Sequence, residues 1–137
     1  MELSPLGVVA TAGSLRAADG VHLAHAWTDA GVIAAPVTNG AHVLHLSVAL
    51  CVLNDTYREA AALGITVDGV RVEADGAFAD DWSSTGITYR VTLDSPASPE
   101  DQLRLLDVVE KVAEIPRAIR RGAPVSRVPC ATPSPAP

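Results

Sequence analysis

At 137 residues, 48% of them hydrophobic, the chain has the size of one domain and enough apolar content for a sizeable core. Its formal net charge of −6 and its lack of a basic stripe argue against nucleic acid as a partner. Two cysteines make no disulfide framework, and the opening MELSPLGVV lacks the basic region of a secretory signal, so a cytoplasmic, reducing setting is expected.

Residues 6–15 (LGVVATAGSL) and 20–27 (GVHLAHAW) read as two strands of a first hairpin around the Asp19-Gly20 turn, with Val21, Leu23, His25 and Trp27 on one face. A third short strand is expected over Val32–Ala35, ahead of Pro36. Residues 38–64 then read as one long helix, opened by the Thr38-Asn39 capping pair and stopped at Gly64. Between Val43 and Leu53 only His45 and Ser47 are clearly polar, which predicts a buried helix rather than an amphipathic one. The apolar run is far shorter than the roughly 20 residues of a membrane span, so no membrane association is expected.

Beyond Gly64, Val70, Val72 and Ala74 alternate with Arg71, Glu73 and Asp75. In GITYRVTLD, Ile87, Tyr89, Val91 and Leu93 alternate with Thr88, Arg90 and Thr92. Period-two patterning of this kind predicts a second hairpin, with one buried and one wet face, in an antiparallel sheet. Ser98-Pro99-Glu100-Asp101 is a strong helix start, and Leu105, Val108, Val109, Val112 and Ile115 follow at helical spacing. Pro116 must bend or stop that helix, residues 117–121 can add a turn, and the arginines there suit a helix C-terminus. A last strand is expected over residues 123–128. The Pro-rich tail 129–137 reads as disordered, leaving residues 1–128 as one α+β domain.

Cys51, in the middle of the long helix, is the foremost candidate for chemistry. A thiol reacts as its thiolate, which needs a helix N-terminus or a nearby cation. The long helix begins too far upstream to help. Asp55, one turn on, would hinder ionisation if it faced the sulfur, and Arg58 more naturally pairs with Asp55. A buried cysteine acting as a small hydrophobe fits the same pattern. His42 and His45 share a helix face, but neither stands where it would be a direct base for the thiol. A zinc site built from them, a strand histidine and Cys51 lacks a tight ligand cluster, and no Gly-rich phosphate loop is present, so neither metal nor cofactor is expected.

The order of elements and the local sequence resemble the OsmC/Ohr family of thiol-dependent hydroperoxide reductases. The resemblance rests on NGAHVLHLSVALC, where Asn39 and Cys51 keep the family's spacing of helix entry and peroxidatic cysteine, and on GITVDGVRVEADGAF and GITYRVTLD followed by a helix. It covers residues 6–128. It implies an intertwined α+β homodimer with Cys51 as nucleophile and Arg16 as the candidate activating arginine. The resemblance places Ile115, in AEIPRAI, where the family carries its resolving cysteine, and Ala41 where it carries a helix-entry glutamate.

Two functions follow. One is a peroxidase-like oxidoreductase, cytoplasmic and linked to stress response. In it Cys51 reduces an organic hydroperoxide and, without a second core sulfur, is restored by an external thiol; Cys130 on the tail is a weak substitute. Around Cys51, His42, His45, Ser47, Trp82 and Ile115 are the candidate substrate-binding residues; in a variant of this reading the same thiol chemistry acts on a specialised small apolar molecule, with His42 or His45 as the acid–base group. The other is a binding module whose dimer pocket holds a small hydrophobic molecule without turnover. The helix, apolar on all sides, itself predicts an obligate homodimer.

Overall fold

A computed structural model describes residues 1–130 of the chain. The elements in order are β1 (Val8–Gly13), β2 (Val21–Leu23), β3 (Val32–Ala35), α1 (Gly40–Leu63), β4 (Gly69–Phe78), β5 (Ser84–Asp94), α2 (Pro99–Val112) and α3 (Glu114–Arg121). The five strands form one antiparallel sheet in the order β2-β3-β1-β4-β5, and helices cover one face of it. The class is α+β, as expected.

The sheet face under α1 is written by register. Val8, Ala10 and Ala12 of β1 stand opposite Ala74, Val72 and Val70 of β4, which in turn stand opposite Tyr89, Val91 and Leu93 of β5. All six residues from β1 and β4 are fully buried, and with Val48, Ala49, Val52 and Leu53 of α1 and Leu105 and Val109 of α2 they make the core. Burying such side chains stabilises by about 1.5–3 kcal/mol each for the larger ones. The expected alternation along β4 and β5 is seen residue by residue.

Local chemistry sets the helix ends. Asn39 Oδ1 accepts the His42 N–H at 2.9 Å, capping α1. At its other end Gly64 takes φ 69°, and its N–H and that of Ile65 return to Ala61 and Ala60 carbonyls, a Schellman closure that favours glycine. Ser98 Oγ caps α2 through the Asp101 N–H, with Pro99 at the first helical position. The chain breaks at Ala113 (ψ 120°), so Pro116 falls in the first turn of α3, where its missing N–H costs no helical bond. The Arg117 guanidinium donates to the Lys111 carbonyl at 2.7 Å, tying the two helices together.

Three expectations are corrected. The segments around the Asp19-Gly20 turn do not pair with each other; β1 lies between β3 and β4. A buried strand must satisfy both of its edges, and the apolar β3 and β4 do so, whereas the short, exposed β2 takes the sheet's rim. That strand ends at Leu23, leaving His25 and Trp27 in the following loop. No strand forms over residues 123–128: Val125 and Val128 are 96% and 79% exposed, and Pro124 and Pro129 withhold backbone donors. As the homodimer expectation requires of a single chain, α1 is not covered on every side, since Val43 is 53% exposed and Leu50 and Cys51 are half-buried. From residue 131 on, the expected Pro-rich tail lies outside the described residues.

Candidate functional site

Cys51 opens onto a cleft of about 460 Å³. One wall is a stripe of α1, namely Ser47, Leu50, Cys51, Asn54, Asp55 and Arg58, which recur every three or four residues. The facing wall is the loop of Ala24, His25 and Ala26 together with Glu114 and Ile115, the first two residues of α3. The sulfur is half-buried, reachable from the cleft rather than sealed in the core. A second cavity of about 340 Å³, between β5 and α3, holds no thiol.

Around the sulfur the charges are arranged as a knot. Cys51 Sγ lies 3.8 Å from Asp55 Oδ2 and 3.8 Å from Glu114 Oε2. Arg58 holds both acids, at 3.2 Å from Asp55 Oδ2 and 3.1 Å from Glu114 Oε1. Asn54 Nδ2 adds a bond to Asp55 Oδ1 at 3.2 Å. Burial pushes the Cys51 thiol above its ordinary pKa; the backbone N–H groups of Ile115 and Glu114 pull it down, and the two carboxylates push it further up. The net direction is up. Burial likewise raises Asp55, helped by its hydrogen bond to Glu114 and opposed by Asn54 and Arg58. Glu114 moves the other way, held down by that same bond to Asp55 and by Arg58.

His25 completes the cleft. Its Nδ1 meets Thr28 Oγ1 at 2.9 Å, its Nε2 is buried without a partner, and its ring meets that of Tyr57 edge-on at 5.7 Å. Burial lowers its pKa, with Asn54 pulling partly back, so the neutral imidazole is favoured.

Cys51 Sγ and one oxygen each from Asp55 and Glu114 fall within 4.8 Å of one another, a spacing a metal ion could bridge. Arg58 already supplies a cation to both carboxylates, and a divalent ion would have to displace it.

Of the candidate substrate-binding and activating residues named from sequence, the structure brings Ser47 and Ile115 to the Cys51 cleft and leaves His42, His45, Trp82 and Arg16 elsewhere. His42 and His45 instead clamp the N-terminal segment. His42 Nε2 donates to Pro5 O at 2.9 Å while its Nδ1 accepts the Thr38 N–H at 3.1 Å, and His45 Nδ1 donates to Leu6 O at 2.7 Å. Trp82, 79% exposed in the β4–β5 connection, packs against Phe78 with the rings tilted at 46° rather than reaching the cleft. Arg16 is exposed after β1 and does not line the cleft. Helical spacing relative to Cys51 already gave Asn54 and Asp55 as its neighbours and Arg58 as the partner of Asp55, which the structure bears out. His25 and Glu114 were not legible in this way, because no local pattern brings them there.

The OsmC family model, described as OsmC-like protein, matches residues 36–127, from just before α1 to beyond α3. The chain belongs to the OsmC-like family. Among solved structures it is similar to an OsmC-like hydroperoxide resistance protein from Jannaschia sp. CCS1, with 18% identity, a TM-score of 0.49, and coverage of 88% of this chain and 91% of that one. No curated protein matches it. Among the described residues, no helix is long and apolar enough to cross a membrane.

Proposed function

We propose that this OsmC-like protein reduces a small organic hydroperoxide at Cys51 by a one-cysteine mechanism, with an external thiol as reductant. The observation that carries the reading is the position of the sulfur: mid-way along the core helix, yet at the wall of a cleft large enough for a small molecule. The sulfur attacks the distal peroxide oxygen, an S–O bond forms as the O–O bond breaks, and a sulfenic acid and an alcohol result. Leu50, Ile115, Ala24 and Ala26 give the cleft an apolar side for the organic portion, and Arg58 and Asn54 give a polar side for the peroxide. The sequence has one other cysteine, Cys130, exposed beyond α3, so an intermolecular thiol must return the sulfenic acid to thiol.

A second reading has its own support. The thiol is pushed up rather than down, with carboxylates on two sides, which suits a cleft that binds an apolar molecule without turnover. Stopped-flow mixing of reduced protein with cumene hydroperoxide, followed by sulfenic-acid trapping with a dimedone probe, separates the two. Stoichiometric labelling in the wild type and none in Cys51→Ala supports the peroxidase. A native protein whose Cys51 resists both oxidation and alkylation supports the binding module.

A further inference from the structure

The thiol hydrogen of Cys51 has two carboxylate acceptors at the same 3.8 Å, and they are not equivalent. The Glu114 side chain is 58% exposed and belongs to another helix. The Asp55 side chain is 2% exposed, one helical turn from Cys51 on the same face of α1, and held on both oxygens, by Arg58 on Oδ2 and Asn54 on Oδ1. A buried carboxyl fixed on both oxygens and 3.8 Å from the reacting sulfur is placed to act as an acid–base group once substrate draws the two together.

We propose that Asp55 is the catalytic proton relay of Cys51. This rests on the hydroperoxide reading above. As the sulfur attacks the distal oxygen of an organic hydroperoxide, the thiol proton passes to the Asp55 carboxylate. The distal oxygen stays on sulfur as the sulfenic hydroxyl, sulfur is oxidised by two electrons, and the O–O bond is reduced. The relayed proton then goes from Asp55 to the departing alkoxide, which leaves as the alcohol. Atoms and charge balance, and the carboxylate is regenerated.

Two physical reasons favour this route over a preformed thiolate. A free thiolate between Asp55 and Glu114 would place three negative charges around one arginine, whereas relay leaves the charge of the cleft unchanged through the step. An alkoxide is also a poor leaving group in a half-buried cleft, so a proton donor at the sulfur lowers the barrier to O–O cleavage. Burial first, and the hydrogen bond to Glu114 second, raise the proton affinity of Asp55 above that of an ordinary carboxylate, the direction a proton acceptor for the thiol needs.

The test is the sign of two rates measured on one variant. Asp55→Asn removes a negative charge beside the sulfur, so alkylation of Cys51 by iodoacetamide, whose leaving group is iodide and needs no proton, should speed up several-fold at pH 7. Single-turnover reduction of cumene hydroperoxide should instead slow by about ten-fold or more, the scale of a lost acid–base group. Asp55→Glu should recover part of that loss. If Asp55→Asn speeds both reactions, Asp55 only hinders ionisation and the relay is wrong. If the wild type leaves the hydroperoxide untouched while its thiol still alkylates, the peroxidase reading falls and the relay with it. Should the Asn variant not fold, the wild-type pH profiles decide. The relay expects peroxide reduction to rise with ionisation of Asp55, among Cys51, Asn54, Arg58 and Glu59 of α1 and Glu114 of α3, at a pH below the rise of alkylation. Coincident profiles overturn it.

Discussion

Arg58 Nη1 and Glu114 Oε1 lie 3.1 Å apart, joining the last third of α1 to the first residue of α3. The contact keeps the start of α3, with the Ile115 and Glu114 N–H groups, against the Cys51 sulfur. It also brings a second carboxylate to a thiol that already has Asp55 beside it. The same residue thus helps the thiolate through its backbone and opposes it through its side chain.

Glu114→Gln separates those two effects. The backbone N–H groups stay and the carboxylate goes, so the Cys51 pKa should fall and the pH profile of its alkylation should shift to lower pH. A rate at pH 7 that is unchanged or slower would mean that the contact with Arg58, rather than the carboxylate charge, controls the thiol.

Cys130 should play no part in turnover. It lies beyond α3, exposed, and a bridge to Cys51 would require the two Cα atoms to come within about 7 Å, with the intervening backbone ordered at roughly 1–2 kcal/mol per residue. Cys130→Ser, or truncation after Val128, should leave the fold and any single-turnover activity intact. Non-reducing mass analysis of the oxidised protein is the check; a Cys51–Cys130 disulfide would defeat the one-cysteine mechanism.

The N-terminal segment is held by a three-point clamp that should loosen with acid. Asp75 accepts the Ser4 N–H at 2.6 Å and the Ser4 hydroxyl at 2.7 Å, next to the His42 and His45 bonds to Pro5 and Leu6. Burial alone would raise the Asp75 pKa, but the Ser4 donors, the Gly76 N–H and the neighbouring His45 outweigh it and hold the group below the ordinary Asp value of about 3.9. A depressed carboxyl contributes stability above its unfolded pKa and loses it as pH falls through the folded one. Relative to the intrinsic rate at each pH, hydrogen exchange at the Ser4, Leu6 and Gly7 amides should therefore be slow at neutral pH and quicken below about pH 4. In Asp75→Asn it should be faster at neutral pH and much less sensitive to acid.

His45 should be a structural residue. It is fully buried, stacked on Phe78, and gives Nδ1–H to Leu6 O, so His45→Leu leaves a part-buried carbonyl without its donor. A loss of about 1–3 kcal/mol is expected from denaturant midpoints. The reactivity of Cys51 should stay as it is, since His45 does not line the cleft. A large fall in thiol reactivity with unchanged stability would return His45 to the chemistry.

The apolar surface left on α1 and β5 predicts a homodimer. Val43 is 53% exposed, and Ile87, Tyr89, Val91 and Leu93 remain half-buried along β5. Sedimentation at micromolar concentration should show no folded monomer. A stable monomer would mean that one chain tolerates this exposure.

What the sequence by itself determined is whatever short-range chemistry dictates. The Asn39 cap and the Gly64 stop bound α1 because each acts through backbone groups within a few residues of itself. Ser98 and Pro99 start α2 for the same reason, and the alternation in β4 and β5 assigns their faces because a strand repeats every two residues. Helical spacing also put Asp55 and Arg58 near Cys51. Tertiary structure decided everything that joins distant segments. It put β1 between β3 and β4 rather than beside β2, because both edges of a buried strand need partners. The chain break at Ala113 turned a single helix into two and aimed the start of the second at the sulfur. A short β2 released His25 to the cleft, and the histidines of α1 were taken up by carbonyls of the N-terminal segment. Such contacts depend on which surfaces meet once the core has formed, and no local pattern in the sequence encodes that choice.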